Sequence, residues 1–339
     1  MPSVQLNRTK DENFIYEGSI QPRSNDPFWY GHLKKYGIQD NGDRGDELWD
    51  AGAVLAATAA SSRNIKSYLS GTSLIDFNTT NISAANLGVA TTALQSLVIG
   101  FFRGEAAYNI ESWKLGDIFR SKPITIGTPS FFFEDIRDSN KAFASFRSSH
   151  QRNSDPYTGR VVVVGANDGQ LHAFKTSDGS EAWSFVPPSL LTRLKLIAHN
   201  THPTSLTHTS YVDGPVTVAD AWVPATASDG TSKSASDWRT HLLFGLGQGA
   251  GHGTVSTLWS ASSTCTGAFS EIYSSSYPNY CGYYCLDVTS TENPTLCGYQ
   301  SGSRWLTFNV SAAAAPYLGA PWSAPMVGRV KDGGLEKWV

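Results

Sequence analysis

Four cysteines are the residues best placed for chemistry, because all of them lie in one short part of the chain: Cys265, Cys281, Cys285 and Cys297. The intervals of fifteen, three and eleven residues between them match no common zinc pattern. Two disulfides are therefore favoured over a metal site, and they imply an oxidising compartment. Cys285 and Cys297 fall in apparent strands with a short connection. That placement predicts the pairs Cys285–Cys297 and Cys265–Cys281 among the three connectivities that four cysteines allow.

An acidic stretch at residues 40–50 contains Arg44-Gly45-Asp46, the tripeptide that integrins recognise. Because three residues recur often by chance, the favoured interpretation is that Asp43 or Asp46 caps a following helix. The carboxylates would also suit calcium, although their spacing differs from the Asp-x-Asp-x-Asp-Gly loop. We keep Arg44, Gly45 and Asp46 as a candidate adhesion site.

Two glycine-containing turns resemble ligand-binding loops. The Asn-Asp-Gly turn at residues 167–169 predicts that Asp168 bonds to its own backbone, and this use of Asp is favoured over a ligand role. Glycines alternate within residues 245–253, but a nucleotide fingerprint also needs a following helix and a later acidic residue. A close strand crossing is therefore the favoured interpretation of this second segment.

The segment around Trp183 has the order of a hairpin. Asp178-Gly179 predicts a type I′ turn, in which both central residues have positive φ. Trp183 and Phe185 are two residues apart, so in a strand their side chains point to the same face. A packing role for Trp183 is favoured over a cofactor site.

The remaining polar residues do not form a catalytic pattern. His199, His202 and His208 cluster in a polar loop that could meet a metal, but a solvated loop is the default interpretation. The sequence contains no Gly-x-Ser-x-Gly elbow. We therefore assign no catalytic residue and no metal ligand.

Composition narrows the class of protein. The 339 residues carry a net charge of −3, and only 16% of them are charged, whereas Trp (10), Tyr (14), Phe (16) and Gly (31) are plentiful. No basic cluster could neutralise a row of phosphates, so nucleic acid is not an expected partner. No apolar run approaches the roughly 20 residues of a membrane-spanning helix. The first residues lack the order of a secretory signal, and we expect the numbering to begin inside a longer chain.

The first part of the chain, residues 1–115, predicts a small mixed α/β cap or linker. A helix is expected from Asp46 and a second over residues 84–103, where apolar residues fall on one face. Between them, RNIKSYL and SLIDF predict a short hairpin.

From residue 116 onward the pattern is mainly β and loosely repeated. SKPITIG, DGPVTVAD and SAPMVGRV each place a small residue, then Pro, then an apolar run, and about four strands follow in each of the first two units. This pattern predicts a partial β-propeller over residues 116–339, with about two complete blades and the start of a third. Long insertions at residues 201–209, 225–237 and the disulfide-bearing loop 259–300 are expected on one rim. Two blades cannot close a ring, so the remaining blades are expected from a longer polypeptide or from another chain.

Several longer motifs support a family assignment. Five motifs resemble the PilC/PilY family of type IV pilus tip and biogenesis proteins. They are GDIFRSKPITIG, VVVVGANDGQLHAF, GLGQGAG and YYCLDV in the propeller region, and RGDELWDAG in the segment before it. The resemblance covers residues 28–339. It implies an exported protein that sits with minor pilins at the pilus tip, promotes pilus assembly and mediates attachment to a host or abiotic surface. The calcium loop of that family has no counterpart before Val339, so calcium is expected only in the missing part of the propeller.

The functional hypothesis is therefore a non-enzymatic protein of the pilus tip, extracellular or on the cell surface after export through the periplasm. Its rim loops would bind minor pilins and an external surface, with no cofactor in this chain. One alternative is a quinoprotein-like dehydrogenase of the periplasm, since such enzymes also place Asp-Gly before a Trp in each blade. A second alternative is a scaffold subunit of an extracellular filament complex.

Overall fold

The computed structural model describes residues 2–4, 12, 14–131, 133–198, 207–250, 282–298, 304–305, 307–308 and 321–339. These residues are mainly β, as predicted, and they form several sheets with short helices between them. No sheet in the described part of the chain closes into a barrel.

The N-terminal part forms an antiparallel sheet in the order β1-β2-β3-β4. Its strands are β1 (Pro2–Val4), β2 (Phe14–Gln21), β3 (Tyr30–Ile38) and β4 (Arg44–Asp50), and helix α1 (Ala51–Ala57) follows directly. The predicted helix start at Asp46 is wrong, because residues 44–50 pair with β3 instead. The pairing buries Trp49, whose indole N–H donates to the carbonyl of Thr176 at 3.2 Å. A helix over the same residues would not present this side chain to the next sheet.

The cap of α1 also differs from the prediction. Asp50, and neither Asp43 nor Asp46, stands at the N-cap, and its Oδ1 accepts a hydrogen bond from the Gly52 N–H at 2.9 Å. Its Oδ2 lies 2.6 Å from His32 Nδ1 on the neighbouring strand. The acidic residue that matters for the helix is therefore the last one of the strand.

The hairpin and the helix that follow agree closely with the sequence prediction. RNIKSYL and SLIDF contain β5 (Ile65–Ser67) and β6 (Ile75–Asp76), which pair as an antiparallel hairpin. Helix α2 (Thr92–Arg103) begins eight residues later than the predicted residue 84, because the Thr91 hydroxyl caps it by accepting from the Leu94 N–H at 3.2 Å. The preceding residues form turns.

The first repeat unit forms the predicted run of four antiparallel strands. They are β7 (Ile124–Ile126), β8 (Val161–Gly165), β9 (Leu171–Lys175) and β10 (Glu181–Phe185), with helix α3 (Ala142–Ser149) between β7 and β8. Strand β5 adds to this sheet in parallel with β10, so the complete order is β6-β5-β10-β9-β8-β7. Residues before 115 thus contribute two strands to the sheet of the residues after it, and the boundary between 115 and 116 stays a prediction.

The second repeat unit has the same order. Its strands are β11 (Val216–Trp222), β12 (Trp238–Phe244), β13 (Tyr283–Asp287) and β14 (Thr295–Gly298), extended by β15 (Arg304–Trp305) and by β16 (Thr307–Phe308), which pairs with β13. A final hairpin consists of β17 (Arg329–Asp332) and β18 (Leu335–Trp338).

The hairpin turn between β9 and β10 is not of type I′. Of its two predicted central residues, only Gly179 has positive φ, at 74°. The loop is longer, since the Lys175 N–H donates to the Ser180 carbonyl at 2.8 Å, and the Asp178 carboxylate accepts from the Ser180 N–H at 2.8 Å. Because the bond from Lys175 to Ser180 encloses four residues, Asp178 does not need the left-handed conformation that a two-residue type I′ turn requires.

The loops of the two units alternate between two ends of the sheets. One end carries four of these loops: residues 115–121, 166–170, 207–215 and 245–250. We call it the insertion end, because the chain leaves it for residues 199–206 and 251–281. Residues 223–237 lie at the opposite end, next to the Trp222–Trp238 pair of β11 and β12. The expectation that all three long insertions share one rim is therefore wrong, because a meander of antiparallel strands reverses at every loop.

The two units pack side by side around large apolar side chains. Trp183 and Phe185 are fully buried, as expected for two residues on one strand face that meets a neighbour. The Trp183 indole N–H donates to the carbonyl of Thr291 in the second unit at 2.7 Å. At the insertion end, the Val212 N–H donates to the Ala166 carbonyl at 3.3 Å. The two sheets are thus joined at their ends and through the core.

Candidate functional site

The tripeptide Arg44-Gly45-Asp46 lies at the start of β4, directly after the turn at residues 39–43. Arg44 is exposed, and it forms an ion pair and a cation–π contact. Its guanidinium lies 2.8 Å from the Glu17 carboxylate and 4.5 Å from the ring centre of Tyr36. The Asp46 side chain is exposed. The two charged ends of the tripeptide are therefore open to solvent on a strand at the edge of its sheet.

Two of the four cysteines lie within the described residues. Cys285 on β13 and Cys297 on β14 form a disulfide with Cα atoms 5.8 Å apart, the pair that the adjacent strands predict. Cys265 and Cys281 lie outside the described residues. His241 has a ring nitrogen within 4.8 Å of both Cys285 and Cys297 sulfurs. Since each sulfur is already bonded to the other, neither is available to a metal as a thiolate.

Asp168 belongs to a buried charged chain. Its Oδ1 accepts from the Gln170 N–H at 2.9 Å, the local bond predicted for this turn, and its Oδ2 lies 2.9 Å from His172 Nε2. The other ring nitrogen of His172 lies 2.9 Å from Glu181, which pairs with Arg63 at 2.8 Å. Burial lowers the pKa of His172, but the two carboxylates outweigh it and raise the pKa to about 9.

This group of His, Asp and Glu contains the histidine and the acid of a catalytic triad but no nucleophile, and it is closed to solvent. The side chains of Asp168, His172 and Glu181 are at most 1% exposed. The His172 ring therefore reaches no substrate, and it remains charged between two carboxylates. Its role is to hold β9, β10 and the segment before β5 together.

The insertion end carries a second histidine in a polar setting. The ring of His208 stacks on Trp29 with centroids 4.0 Å apart, and its Nδ1 donates to the Pro27 carbonyl at 3.0 Å. Its Nε2 lies 3.3 Å from the buried carboxylate of Asp117, whose charge raises the pKa of His208 although burial alone would lower it. His199 and His202, the other members of the predicted cluster, lie outside the described residues.

An exposed aromatic and arginine surface lies at the same end. It comprises Phe119, Arg120 and Trp322, and we call it the Arg120 patch. The rings of Phe119 and Trp322 are 48% and 41% exposed. The Arg120 guanidinium lies 4.4 Å from the ring centre of Phe119 and 5.5 Å from that of Trp322. Two large rings thus flank one cation on an open surface.

Buried groups beneath the patch fix the orientation of Arg120. The Asp213 carboxylate, which is fully buried, accepts from the Arg120 guanidinium at 2.8 Å and from its backbone N–H at 3.0 Å. The Gln248 side-chain oxygen accepts a further bond from the guanidinium at 2.5 Å. An arginine held in one rotamer loses less conformational entropy when it binds a partner. Trp and Arg are also the residue types enriched among the energetically dominant contacts of protein interfaces.

The glycines of residues 245–250 serve close packing, as predicted from their alternation. A Cβ at Gly249 would lie 1.7 Å from the Tyr211 carbonyl oxygen, and one at Gly214 would lie 2.2 Å from that of Gly245. Glycine at these positions lets the loop that carries Gln248 lie directly on the loop that carries Asp213. The predicted segment continues through residues 251–253, which lie outside the described residues.

The sequence interpretation missed the Arg120 patch because its members are far apart in the chain. Phe119 and Arg120 precede the Ser-Lys-Pro of the first unit, Asp213 precedes the Gly-Pro of the second, and Trp322 precedes the Ser-Ala-Pro of the third. A side-by-side comparison of the residues before each proline would have shown that these four residues all lie two to four positions ahead of it.

Comparison with known proteins identifies relatives over nearly the whole chain. The type IV pilus biogenesis factor PilY1 of Pseudomonas aeruginosa strain PAK is 32% identical over 364 aligned residues, which cover 99% of this chain and 26% of the relative. A PilY1 homolog of Xylella fastidiosa strain Temecula1 is 27% identical over 315 residues, covering 90% of this chain and 20% of the relative. The chain thus spans about a quarter or less of the length of these relatives.

Two further comparisons found nothing. No family model matches the chain, and no solved structure matches it. Among the described residues, no helix has both the length and the apolar character needed to cross a membrane.

Proposed function

We propose that this chain, which is a PilY1-like type IV pilus protein, acts without catalysis in the biogenesis of the pilus at the cell surface. The observation that carries the proposal is the 32% identity to a type IV pilus biogenesis factor over 99% of the chain. The most enzyme-like group of side chains, around His172, supports a non-enzymatic role because it is sealed from solvent.

The proposed architecture is that of a β-propeller in which the two repeat units are adjacent blades. Each unit is a meander of four antiparallel strands, and the two units face each other across Trp183 and Phe185. The hairpin of β17 and β18 then begins a third blade. Blades packed in this way form a stiff platform that presents loops at its two ends.

The proposed binding surface for minor pilins is the Arg120 patch. Its exposed rings supply apolar area, and the buried Asp213 carboxylate keeps the cation in place before a partner arrives. The patch lies at the insertion end, over the loops that carry Asp213 and Gln248. Loops on a rigid scaffold are the usual location of binding residues.

Adhesion to an external surface is assigned to a separate place, Arg44-Gly45-Asp46. Support comes from the exposure of Arg44 and Asp46 on the edge strand β4. The ion pair between Arg44 and Glu17 would have to open for a receptor carboxylate to reach the guanidinium. Substitution of Glu17 by Gln should therefore strengthen attachment, whereas Asp46→Glu should weaken it.

The test of the pilin-binding proposal uses the full-length protein in a bacterium that carries this gene. We expect Phe119→Ala combined with Trp322→Ala to reduce both surface pili and the amount of minor pilin that co-purifies with the protein. Ile110→Ala, at a side chain that is 85% exposed and outside the patch, is the matched control. Normal piliation and normal co-purification in the double variant would overturn the assignment of the patch, and normal piliation in a strain that lacks the whole gene would overturn the role in biogenesis.

A further inference from the structure

A lysine amine and two carboxylates meet in a sealed site at the end of the sheets opposite the insertion end. The Nζ of Lys233 contacts Asp135 Oδ2 and lies 2.5 Å from Glu336 Oε1. The side chains of all three residues are at most 1% exposed. They come from three separate segments: the loop after β7, the loop before β12, and strand β18.

Aromatic side chains enclose this site. Lys233 Nζ lies 4.6 Å from the ring centre of Trp222 and 5.5 Å from that of Trp238. The Trp338 indole N–H donates to Glu336 Oε1 at 2.9 Å, which fixes the carboxylate beside the amine. The amine and the two carboxylates are therefore shielded from bulk solvent by these rings.

Two arginines complete the cluster from its rim. Arg329 donates to Asp135 Oδ1 at 2.9 Å, so the carboxylate oxygen that faces away from Lys233 has its own cation. Arg137 donates to Glu336 Oε2. When a nucleophile adds to the Asp135 carbonyl carbon, negative charge develops on Oδ1. A cation beside that oxygen stabilises the transition state.

We propose that Lys233 and Asp135 condense to an intramolecular isopeptide bond, with Glu336 carrying the proton between them. This inference concerns a covalent modification and does not depend on the proposed role in pilus biogenesis. The reaction requires no oxidant, reductant or cofactor. Lysine amines are established nucleophiles when they are buried beside a suitable proton acceptor.

The atoms balance as a dehydration. The ammonium proton of Lys233 passes to Asp135 Oδ2, which leaves a neutral amine and a carboxylic acid. The amine nitrogen bonds to Cγ of Asp135, and one of its two protons passes to Glu336. Glu336 returns that proton to the Oδ2 hydroxyl, the Cγ–Oδ2 bond breaks, and one water leaves. The product is an amide that carries a single N–H.

The site lowers the barrier of this reaction by position and by exclusion of water. Effective molarities of well-oriented intramolecular groups reach about 10⁵–10⁸ M, and a closed apolar site disfavours the reverse hydrolysis. Burial would raise the pKa of Asp135, but its pairs with Lys233 and Arg329 outweigh burial and lower the pKa. Proton transfer to Asp135 is therefore the uphill step, and we expect the bond to accumulate slowly after folding.

The bond would close a covalent loop between positions 98 residues apart. It would connect the loop after β7 in the first unit to the loop before β12 in the second. A pulling force applied to the chain would then bypass the residues between the two anchor points.

The experiment is an intact-mass measurement on the purified chain after its disulfides have been reduced and alkylated. We expect the wild-type mass to lie one water below the mass calculated from the sequence with its four cysteines alkylated, which is the sequence mass used here. A peptide digest should contain Lys233 joined to Asp135. Asp135→Asn should condense with the loss of ammonia in place of water. Lys233→Arg and Glu336→Gln should both retain the sequence mass, and their thermal unfolding reports whether they are folded.

The exposed pair of Lys66 and Asp76, with Nζ and Oδ1 2.6 Å apart, is the internal control and should remain unlinked in the same digest. A folded wild-type chain that keeps its full sequence mass after prolonged incubation would overturn the proposal without the need for any variant. A link from Lys233 to Glu336, or full linkage in Glu336→Gln, would overturn the assigned roles.

Discussion

Arg63 and Glu181 form a bidentate ion pair across 118 residues of sequence, with Nε to Oε2 and Nη2 to Oε1 distances of 2.8 Å each. Both side chains are at most 1% exposed. Arg63 stands just before β5, and Glu181 is the first residue of β10, so the pair lies where β5 joins the sheet of the first unit in parallel. The N-terminal part of the chain is thereby tied to the repeat region by a buried charge pair.

Removal of one member of this pair should destabilise the fold strongly. Arg63→Met leaves the Glu181 carboxylate buried without its main cation, and breaking a buried pair in this way costs about 3–5 kcal/mol. Urea unfolding, followed by fluorescence, measures the loss. The control is Lys66→Met, which breaks the exposed pair with Asp76 and should change the free energy of unfolding by about 0–1 kcal/mol. Equal losses in the two variants would contradict the structural role of the buried pair.

The same buried chain predicts how stability depends on pH. The pKa of His172 is raised from 6.5 to about 9, so its stabilising contribution is complete below pH 6.5 and is lost as the pH rises through about 9. Burial would raise the pKa of Glu181, but Arg63 and His172 outweigh burial and lower it from 4.5 to about 2. Its contribution is therefore complete above pH 4.5 and is lost as the pH falls towards about 2.

The urea midpoint measured from pH 2 to pH 10 checks both parts of this dependence. We expect a decline on the alkaline side between about pH 6.5 and 9, where the neutral histidine no longer repays its burial beside two carboxylates. His172→Gln has no proton to lose there, so its alkaline decline should be smaller. An unchanged alkaline decline in this variant would show that another group is responsible.

Trp183 should contribute to stability through its indole N–H as well as its ring. Trp183→Phe keeps most of the apolar area but leaves the Thr291 carbonyl without this donor, and an unsatisfied buried polar group costs about 1–3 kcal/mol. Trp322→Phe, at a ring that is 41% exposed, should stay within about 0.5 kcal/mol of wild type. Thermal unfolding of both variants distinguishes a packing residue from a surface residue.

The start of α1 can be tested with two acidic residues of the same strand. Asp50→Ala removes the cap of the Gly52 N–H and the contact with His32, and loss of an N-cap alone costs about 1 kcal/mol. Asp46→Ala, at the position first expected to cap the helix, should change the free energy of unfolding very little. A larger loss at Asp46 would contradict the strand assignment of residues 44–50.

Much of the β region could be predicted because its signals are local. Alternation of apolar residues, turn residues and a proline at the start of each unit occur within about ten residues of each other, and each of the eight strands of the two units was found in order. Cys285 and Cys297 were paired correctly for the same reason, since they lie on consecutive strands. The helix starts were less accurate, because Asp46 and Asp50 are equally good caps in isolation and only the pairing of β4 with β3 decides between them.

The family and the four-stranded units were determined by the sequence itself, through motifs that are each continuous in the chain. The tertiary structure alone decided which distant side chains share a site. Lys233, Asp135 and Glu336 carry no mutual spacing that sequence could reveal, and Arg120 is an ordinary exposed arginine until Asp213 and Trp322 are placed around it. The physical reason is that burial and electrostatic contacts depend on which loops meet at the ends of the sheets. Those loops are brought together only when the sheets pack against each other.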